Sequence, residues 1–293
     1  MRWRKVTLIG VGLLGGSLGQ ALRERALAGE VHGYVRRESS IAQCLEVGAV
    51  DRATMDLPAA VENADLIVLC TPLAQMEELA AVAAPKVRKG ALITDVGSVK
   101  GRLVQQLEPA FSTRGACFIG SHPMAGSEKM GVSAARPDLF QNAVCVVTPT
   151  AASPADKVDE TEALWQEVGG RVMRMSPEIH DQLAARSSHL PHILAANLAA
   201  FVLGEGNLEQ AKLCANGFKD STRIASGSPE MWRDIVLMNQ ENLKSGLKEF
   251  SSKLAEFRAL LDKDDPALVE AFFQRAKDLR DAWVNRCSSS SPE

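Results

Sequence analysis

The chain has 293 residues, 46% of them hydrophobic, and a formal net charge of −3. That is enough apolar material for one large or two ordinary domains with a full core, and it argues against disorder. The slightly acidic balance offers no basic field to recruit nucleic acid or an anionic membrane, no apolar run reaches the roughly 18 residues of a membrane span, and six cysteines without a Cys-x-x-Cys spacing indicate neither a zinc site nor a disulfide framework.

The start, Met1-Arg2-Trp3-Arg4-Lys5-Val6, runs straight into a strand, so no signal peptide is expected, and free cysteines fit a reducing cytoplasm. Val6-Thr7-Leu8-Ile9-Gly10 reads as that strand, followed by a glycine turn and a helix through Leu18 and Leu22. The turn is Gly10-Val11-Gly12-Leu13-Leu14-Gly15, a G-x-G-x-x-G between strand and helix. In that context the three glycines serve a tight turn, close approach of a pyrophosphate, and helix–strand packing. Backbone N–H groups at the helix start would hold the pyrophosphate; the competing reading is a glycine-rich turn without a ligand.

Val31-His32-Gly33-Tyr34-Val35 is the second strand. NAD enzymes usually place an acidic residue at its end for the ribose hydroxyls. Here the sequence is Val35-Arg36-Arg37-Glu38-Ser39-Ser40. Arg36 offers a planar fork to a 2′-phosphate, with Arg37, Ser39 and Ser40 as further donors. NADP is therefore expected over NAD, although Glu38 keeps NAD as the alternative and a solvated basic loop is the plainer explanation. Leu66-Ile67-Val68-Leu69-Cys70 is the third strand, closed by Thr71-Pro72, which are counted with the cofactor-binding residues. Ala91–Asp95 is the fourth, Cys117–Ser121 the fifth, and Ala143–Thr148 and Arg171–Met175 follow. Near-continuous apolar strands separated by helix-length segments predict an α/β sheet covered on both faces, a Rossmann-type domain.

The fifth strand ends in Gly120-Ser121-His122-Pro123-Met124-Ala125-Gly126-Ser127-Glu128. Ligands in open α/β sheets sit beyond the strand carboxyl ends, and a histidine there can exchange a proton near neutral pH; a loop-satisfied histidine is the alternative. Asp95-Val96-Gly97-Ser98-Val99-Lys100-Gly101 places Ser98 at the same sheet edge, where a hydroxyl can orient an imidazole. Lys100 reads equally as a helix-start residue. His32, within a strand, is expected to be structural, and His180, early in a helix, to be exposed. Strand signals stop at Met175. Ser176-Pro177 is a helix start, and the chain then reads helical almost to its end, with Pro191 expected to break the first long helix. His189 and His192 lie three apart on one helical face, but no carboxylate or cysteine accompanies them and no metal is expected. Further on, Gly217-Phe218-Lys219-Asp220-Ser221-Thr222-Arg223 interrupts an apolar helix and Met231-Trp232-Arg233-Asp234 follows. Arg223 would suit a carboxylate, or pair with Asp220 beside a core tryptophan. Leu243, Leu247, Phe250, Leu254, Phe257 and Leu261 form a heptad-like seam that serves either a core or an intersubunit contact. The expected division is a dinucleotide-binding domain over 1–176, a helical domain over 177–287 and a disordered tail over 288–293.

Together the glycine turn, Asp95–Lys100, Gly120–Gly126, Ser188-His189-Leu190-Pro191-His192 and Gly217–Arg223 resemble the prephenate/arogenate (cyclohexadienyl) dehydrogenases of tyrosine biosynthesis, over nearly the whole chain. The resemblance implies oxidative decarboxylation of prephenate to 4-hydroxyphenylpyruvate or of arogenate to tyrosine. It implies His122 as the acceptor of the substrate hydroxyl proton, Ser98 as its orienting partner and Arg223 as the carboxylate anchor. His192, Ser127, Glu128 and Trp232 become substrate-pocket residues, and the helical domain a homodimer interface. The chain ends soon after Trp283, so no fused mutase or regulatory domain is expected. Two other readings stay open from the residues: a hydroxyacid dehydrogenase or imine reductase of similar plan, for which Lys212 and Lys219 lack the expected setting, and a cofactor-sensing protein without chemistry.

Overall fold

The computed structural model describes residues 1–126, 129–204, 206 and 208–289. The elements in order are β1 (Trp3–Ile9), α1 (Leu13–Glu24), β2 (Ala28–Tyr34), α2 (Glu38–Glu46), β3 (Arg52–Thr54), α3 (Leu57–Val61), β4 (Leu66–Leu69), α4 (Leu73–Ala83), β5 (Leu92–Asp95), α5 (Gly101–Ser112), β6 (Cys117–Phe118), β7 (Gly120–Pro123), β8 (Val144–Thr148), α6 (Ala155–Glu167) and β9 (Arg171–Arg174). Helices follow: α7 (Pro177–Ala184), a π-helical turn (Ala185–His189), α8 (Leu190–Leu203), α9 (Leu208–Lys212), α10 (Asn216–Thr222), a 3₁₀ turn (Arg223–Ser226), α11 (Pro229–Met238), α12 (Gln240–Leu261) and α13 (Pro266–Ser289).

Six strands pair in parallel in the order β3-β2-β1-β4-β5-β6. This is the Rossmann order, and it reverses between β1 and β4, where the crevice of such sheets lies. The strands alternate faces with period two: Leu66 and Val68 of β4 join a core with Leu18, Leu22 and Trp165, whereas Ile67 and Leu69 join one with Met76, Leu107 and Phe111. Each fully buried aliphatic side chain of this kind contributes roughly 1.5–3 kcal/mol, so a strand buried on both faces has to be apolar throughout, as β4 is.

The fifth predicted strand is divided. β6 completes the parallel sheet, and β7 leaves it to begin a second, three-stranded sheet, β7-β8-β9, with β7 antiparallel to β8. The handover is made by side chains. After Ile119 donates to the Ile93 carbonyl (2.9 Å), the Ser121 N–H is taken by the Asp95 carboxylate (3.0 Å) rather than by a strand backbone. β3 gives no alternating signal, since it is three residues long with one apolar member.

The helical half begins as expected: the Ser176 hydroxyl accepts from Ile179 N–H (3.3 Å) and Pro177 occupies the first turn. The break expected at Pro191 falls just before it. A proline has no N–H for the carbonyl four residues back, and the wide turn Ala185–His189 covers that carbonyl's position. By compactness the chain divides into two units, Met1–Gln240 and Glu241–Glu293. In the second, Phe257 packs on Phe272 (ring centroids 4.6 Å) and Phe273 (6.2 Å). Leu254, Leu261, Phe273, Leu279 and Trp283 stay between 53% and 64% exposed. Leu243, at the start of the seam, is buried. α13 continues through Ser288 and Ser289, where a free tail was expected; the last four tail residues lie outside the described residues. No described helix is long and apolar enough to cross a membrane.

Candidate active site

The glycine turn sits at the β1/β4 switch point. Gly10 has φ +95°, a left-handed conformation that favours glycine, and a Cβ on it would lie 2.7 Å from Thr71 Cγ2. A Cβ on Gly15 would lie 2.1 Å from the Gly10 carbonyl oxygen, so α1 can approach β1 only through a glycine. Gly12 differs: among the described residues nothing lies within 4 Å of the position its Cβ would take. It is the N-cap of α1, and among the described residues no side chain caps that helix start. Beside Gly10 the Thr71 hydroxyl oxygen is buried, with no hydrogen-bond partner among the described residues. An open, uncapped helix start with an orphaned hydroxyl fits a pyrophosphate. Leu13 also borders a cavity of about 850 Å³ that Lys129, Met130 and Arg136 line. Arg36, Arg37 and Ser39 are exposed just past the end of β2, on the strand whose Tyr34 carbonyl accepts from Gly10 N–H (3.0 Å).

His122 lies in β7 and is buried. Its strand is pinned to the end of β5 by a polar cluster. Asp95 accepts from the N–H groups of Ser121 (3.0 Å) and Gly97 (2.8 Å), and the Ser121 hydroxyl donates to the Asp95 carbonyl (2.6 Å). Lys100, fully buried, pairs with the Asp95 carboxylate and donates to the Ser121 carbonyl (2.7 Å). Burial draws the Lys100 ammonium below its ordinary range, and Asp95 opposes that. Such a pair adds little net stability over an apolar substitute, but removing one partner is costly. Here its geometric effect is to fix the backbone on both sides of the site.

His122 Nδ1 lies 2.9 Å from His180 Nε2, and His180 Nδ1 lies 2.8 Å from Asp181 Oδ1. Asp181 in turn accepts from the N–H groups of Lys100 and Gly101, both at 2.8 Å, at the start of α5. Burial first, then the neighbouring His180, Lys100 and His189, hold His122 well below the usual imidazole range. At neutral pH it is an uncharged imidazole, the form that can accept a proton.

A second cluster continues from the first. Asn239 donates to the Asp181 carbonyl (2.9 Å) and lies 3.2 Å from His189 Nδ1. His189 meets Trp232 edge-on, and His192 stacks on the same indole with ring centroids 3.5 Å apart. Burial, reinforced by His180 and opposed by Asp181 and the Ser98 backbone, pushes His189 down to about 4. Burial also lowers His192. The expected pair of histidines on one face is present, but each is engaged by its own neighbours. A Cβ on Gly227 would lie 3.1 Å from His192 Cε1, so the loop before α11 closes directly over that ring. Arg223 is exposed on the 3₁₀ turn that packs against α8, the helix of His192, and no ion pair joins it to Asp220 among the described residues.

Two expectations change. His180 is not exposed; it is 2% accessible and touches His122. Ser98 was expected to orient His122, but no Ser98–His122 hydrogen bond occurs among the described residues, and the neighbour of His122 Nδ1 is His180. Ser127 and Glu128 lie outside the described residues. The sequence did carry a sign of His180 and Asp181: Pro177, His180, Asp181 and Ala184 are the buried positions of α7, a helical i, i+3, i+4, i+7 stripe.

Comparison with known proteins gives one consistent result. Residues 18–174 match "Prephenate dehydrogenase, nucleotide-binding domain" and residues 176–274 match "Prephenate dehydrogenase, dimerization domain". The chain is 33% identical to the prephenate dehydrogenase of Bacillus subtilis (strain 168), covering 98% of this chain and 78% of that protein. It is 34% identical to the cyclohexadienyl dehydrogenase of Zymomonas mobilis, covering 94% of each. The crystal structure of prephenate dehydrogenase from A. aeolicus in complex with hydroxyphenyl propionate and NAD+ superposes with a TM-score of 0.85 at 32% identity, covering 98% of both chains. A Mycobacterium tuberculosis 3-hydroxyisobutyrate dehydrogenase shares the fold alone, at 15% identity and a TM-score of 0.53, so the hydroxyacid alternative is not supported.

Proposed function

The chain belongs to the prephenate dehydrogenase family, and from that premise we propose a mechanism in which His122 is the general base. The reaction is the oxidative decarboxylation of a cyclohexadienyl substrate, prephenate to 4-hydroxyphenylpyruvate and/or arogenate to tyrosine. A nicotinamide dinucleotide, when bound, supplies the hydride acceptor. The glycine turn, the open α1 start and Thr71 are the residues that hold it, with Pro72 and Leu14 alongside. His122 takes the proton of the ring hydroxyl as the C–H bond opposite the ring carboxylate breaks. The carbon–carboxylate bond then breaks, its electron pair enters the ring, and the proton on His122 returns to the phenolate oxygen. No net proton is released, so the site needs a base that is neutral beforehand and holds its proton only briefly. Aromatisation drives the second step, which leaves the protein chiefly to orient the substrate and polarise its hydroxyl.

The observation that carries this reading is His122 itself: a buried, neutral imidazole at the carboxyl edge of the sheet, on a strand pinned by Asp95 and Lys100. Arg223 anchors a substrate carboxylate, and His192 and Trp232 line the pocket as a stacked pair. Arg36, with Arg37 and Ser39, favours NADP over NAD through its planar fork on the 2′-phosphate. The match to a dimerization domain and the exposed apolar side chains of α12 and α13 support a homodimer.

The test is turnover of prephenate and arogenate side by side with each oxidised cofactor. His122→Asn should lower kcat on the order of 10²–10⁴-fold with cofactor affinity unchanged. Near-normal turnover in that variant removes the proposed role, and tighter binding of NAD than of NADP removes the arginine argument.

A further inference from the structure

We infer that His180 and Asp181 are positioning residues that fix His122 in its Nδ1–H tautomer and leave Nε2 as the bare, proton-accepting nitrogen. The inference rests on the reading of His122 as the base, and adds the device that decides which of its nitrogens is basic.

The direction of every hydrogen bond in the chain follows from its far end. Asp181 receives backbone N–H groups on both oxygens: Lys100 N–H on Oδ1 and Gly101 N–H on Oδ2, each at 2.8 Å. A backbone amide cannot reverse its role, and an ionised carboxylate only accepts. Asp181 is therefore held as an acceptor, at the start of a twelve-residue helix whose dipole favours negative charge. The third partner of Asp181, His180 Nδ1 at 2.8 Å, must then donate. A neutral imidazole carries one N–H, so His180 Nε2 is left as an acceptor. His122 Nδ1, 2.9 Å away, must donate to it, and the only nitrogen of His122 without a proton is Nε2.

The geometry leaves little freedom to rearrange. His180 is 2% and Asp181 5% accessible, and both sit on the buried stripe of α7. The two rings meet edge-on at an interplanar angle of 73°, with centroids 5.1 Å apart. That arrangement aims the ring nitrogens at each other. A Cβ on Gly101 would lie 2.9 Å from Asp181 Oδ2, so α5 approaches the carboxylate closely because a glycine begins it. On the other side the Asp181 carbonyl accepts from Asn239 (2.9 Å), which ties the backbone of the pair to the end of α11. The Nδ1–H form is the rarer tautomer of a free imidazole, so a protein that needs Nε2 bare has to hold it there. A protonated Nε2 would present a donor to the substrate hydroxyl and accept nothing.

The experiment uses the full-length enzyme labelled with ¹⁵N-histidine. Long-range ¹H–¹⁵N correlation reads the tautomer of each of the five histidines, with His122 assigned by its loss in His122→Asn. The expected wild-type pattern is Nδ1–H for His122 and for His180. His180→Phe removes the acceptor but keeps an aromatic ring; it should release His122 to its Nε2–H form and lower kcat at least about tenfold, since a wrong tautomer in an intact site is severe elsewhere. Asp181→Asn keeps the volume but gives the carboxylate position an N–H₂ donor, and should move His122 the same way. Wild-type His122 in the Nε2–H form overturns the inference, as does an unchanged tautomer with unchanged kcat in both variants. If neither variant folds, the wild-type spectrum alone decides. If the wild type turns over no cyclohexadienyl substrate, the base assignment fails while the tautomer measurement still stands on its own.

Discussion

The buried His189 should make the fold acid-sensitive in a defined window. Its ring is fully buried, and burial pushes it from an ordinary 6.5 to about 4. In the unfolded chain the ring takes a proton as pH falls below about 6.5; in the folded chain it does not until about 4. Between those values the unfolded state binds more protons, so stability falls as pH falls, and above the unfolded value the group contributes nothing. At about pH 4.5, roughly two units of this window have been crossed, which amounts to about 2–3 kcal/mol from one residue. For a unit of this size that is a loss of about 5–10 °C in Tm. The assay is thermal melting of wild type and His189→Gln at about pH 7.5 and about pH 4.5. The amide keeps an acceptor for Asn239 (3.2 Å from the ring now) and does not titrate. His122 and His192 add to the acid loss in both proteins, so the comparison of the two acid shifts isolates His189. If His189→Gln loses as many degrees as wild type, the buried ring is not what makes the fold acid-sensitive.

Two glycines of the same turn should fail in different ways. Gly15→Ala drives a Cβ to 2.1 Å from the Gly10 carbonyl oxygen and should lower Tm, by separating α1 from β1, before any cofactor is added. Gly12→Ala meets nothing within 4 Å, so its Tm should stay near wild type while cofactor affinity drops at least about tenfold, read by fluorescence titration, because the methyl occupies the space left for the pyrophosphate. Asp95→Asn leaves the Lys100 ammonium buried without its partner and should cost about 3–5 kcal/mol; a melting temperature within a degree or two of wild type would mean that water or the Ser121 carbonyl suffices to hold that charge.

The sheet is legible in the sequence because its signals are local. Leu66–Leu69 is apolar at every position, and only a strand buried on both faces requires that. Ser176 and Pro177 announce α7 by capping chemistry that acts within one turn. The glycine turn is legible for the same reason. What is not legible depends on distance in sequence. Nothing within Cys117–Ser121 says that the strand changes sheets, because the cause is the carboxylate of Asp95, 26 residues away. Lys100 reads as a helix-start residue, which it is, but its side chain turns inward to a charge that the local sequence does not mark as buried. A histidine early in a helix reads as exposed; the helical spacing of His180 with Pro177 and Ala184 contradicts that, and is the stronger signal.

The protonation state of the base depends on the seam between the two halves that the family matches define. Lys100 and Gly101, the donors that fix Asp181, belong to the half matched as nucleotide-binding; His180 and Asp181 belong to the half matched as dimerization domain. Neither half contains the whole relay. The first alone would present two buried N–H groups and a histidine with no partner on Nδ1. The second alone would present a carboxylate with nothing to hold its orientation, and so nothing to set the direction of the His180 bond. Buried N–H groups left unpaired cost about 1–3 kcal/mol each, so the same contacts that orient the base also hold α7 against α5. Orientation of the base and docking of the helical half are then one event, and a substitution that loosens the docking should reach His122 without touching it.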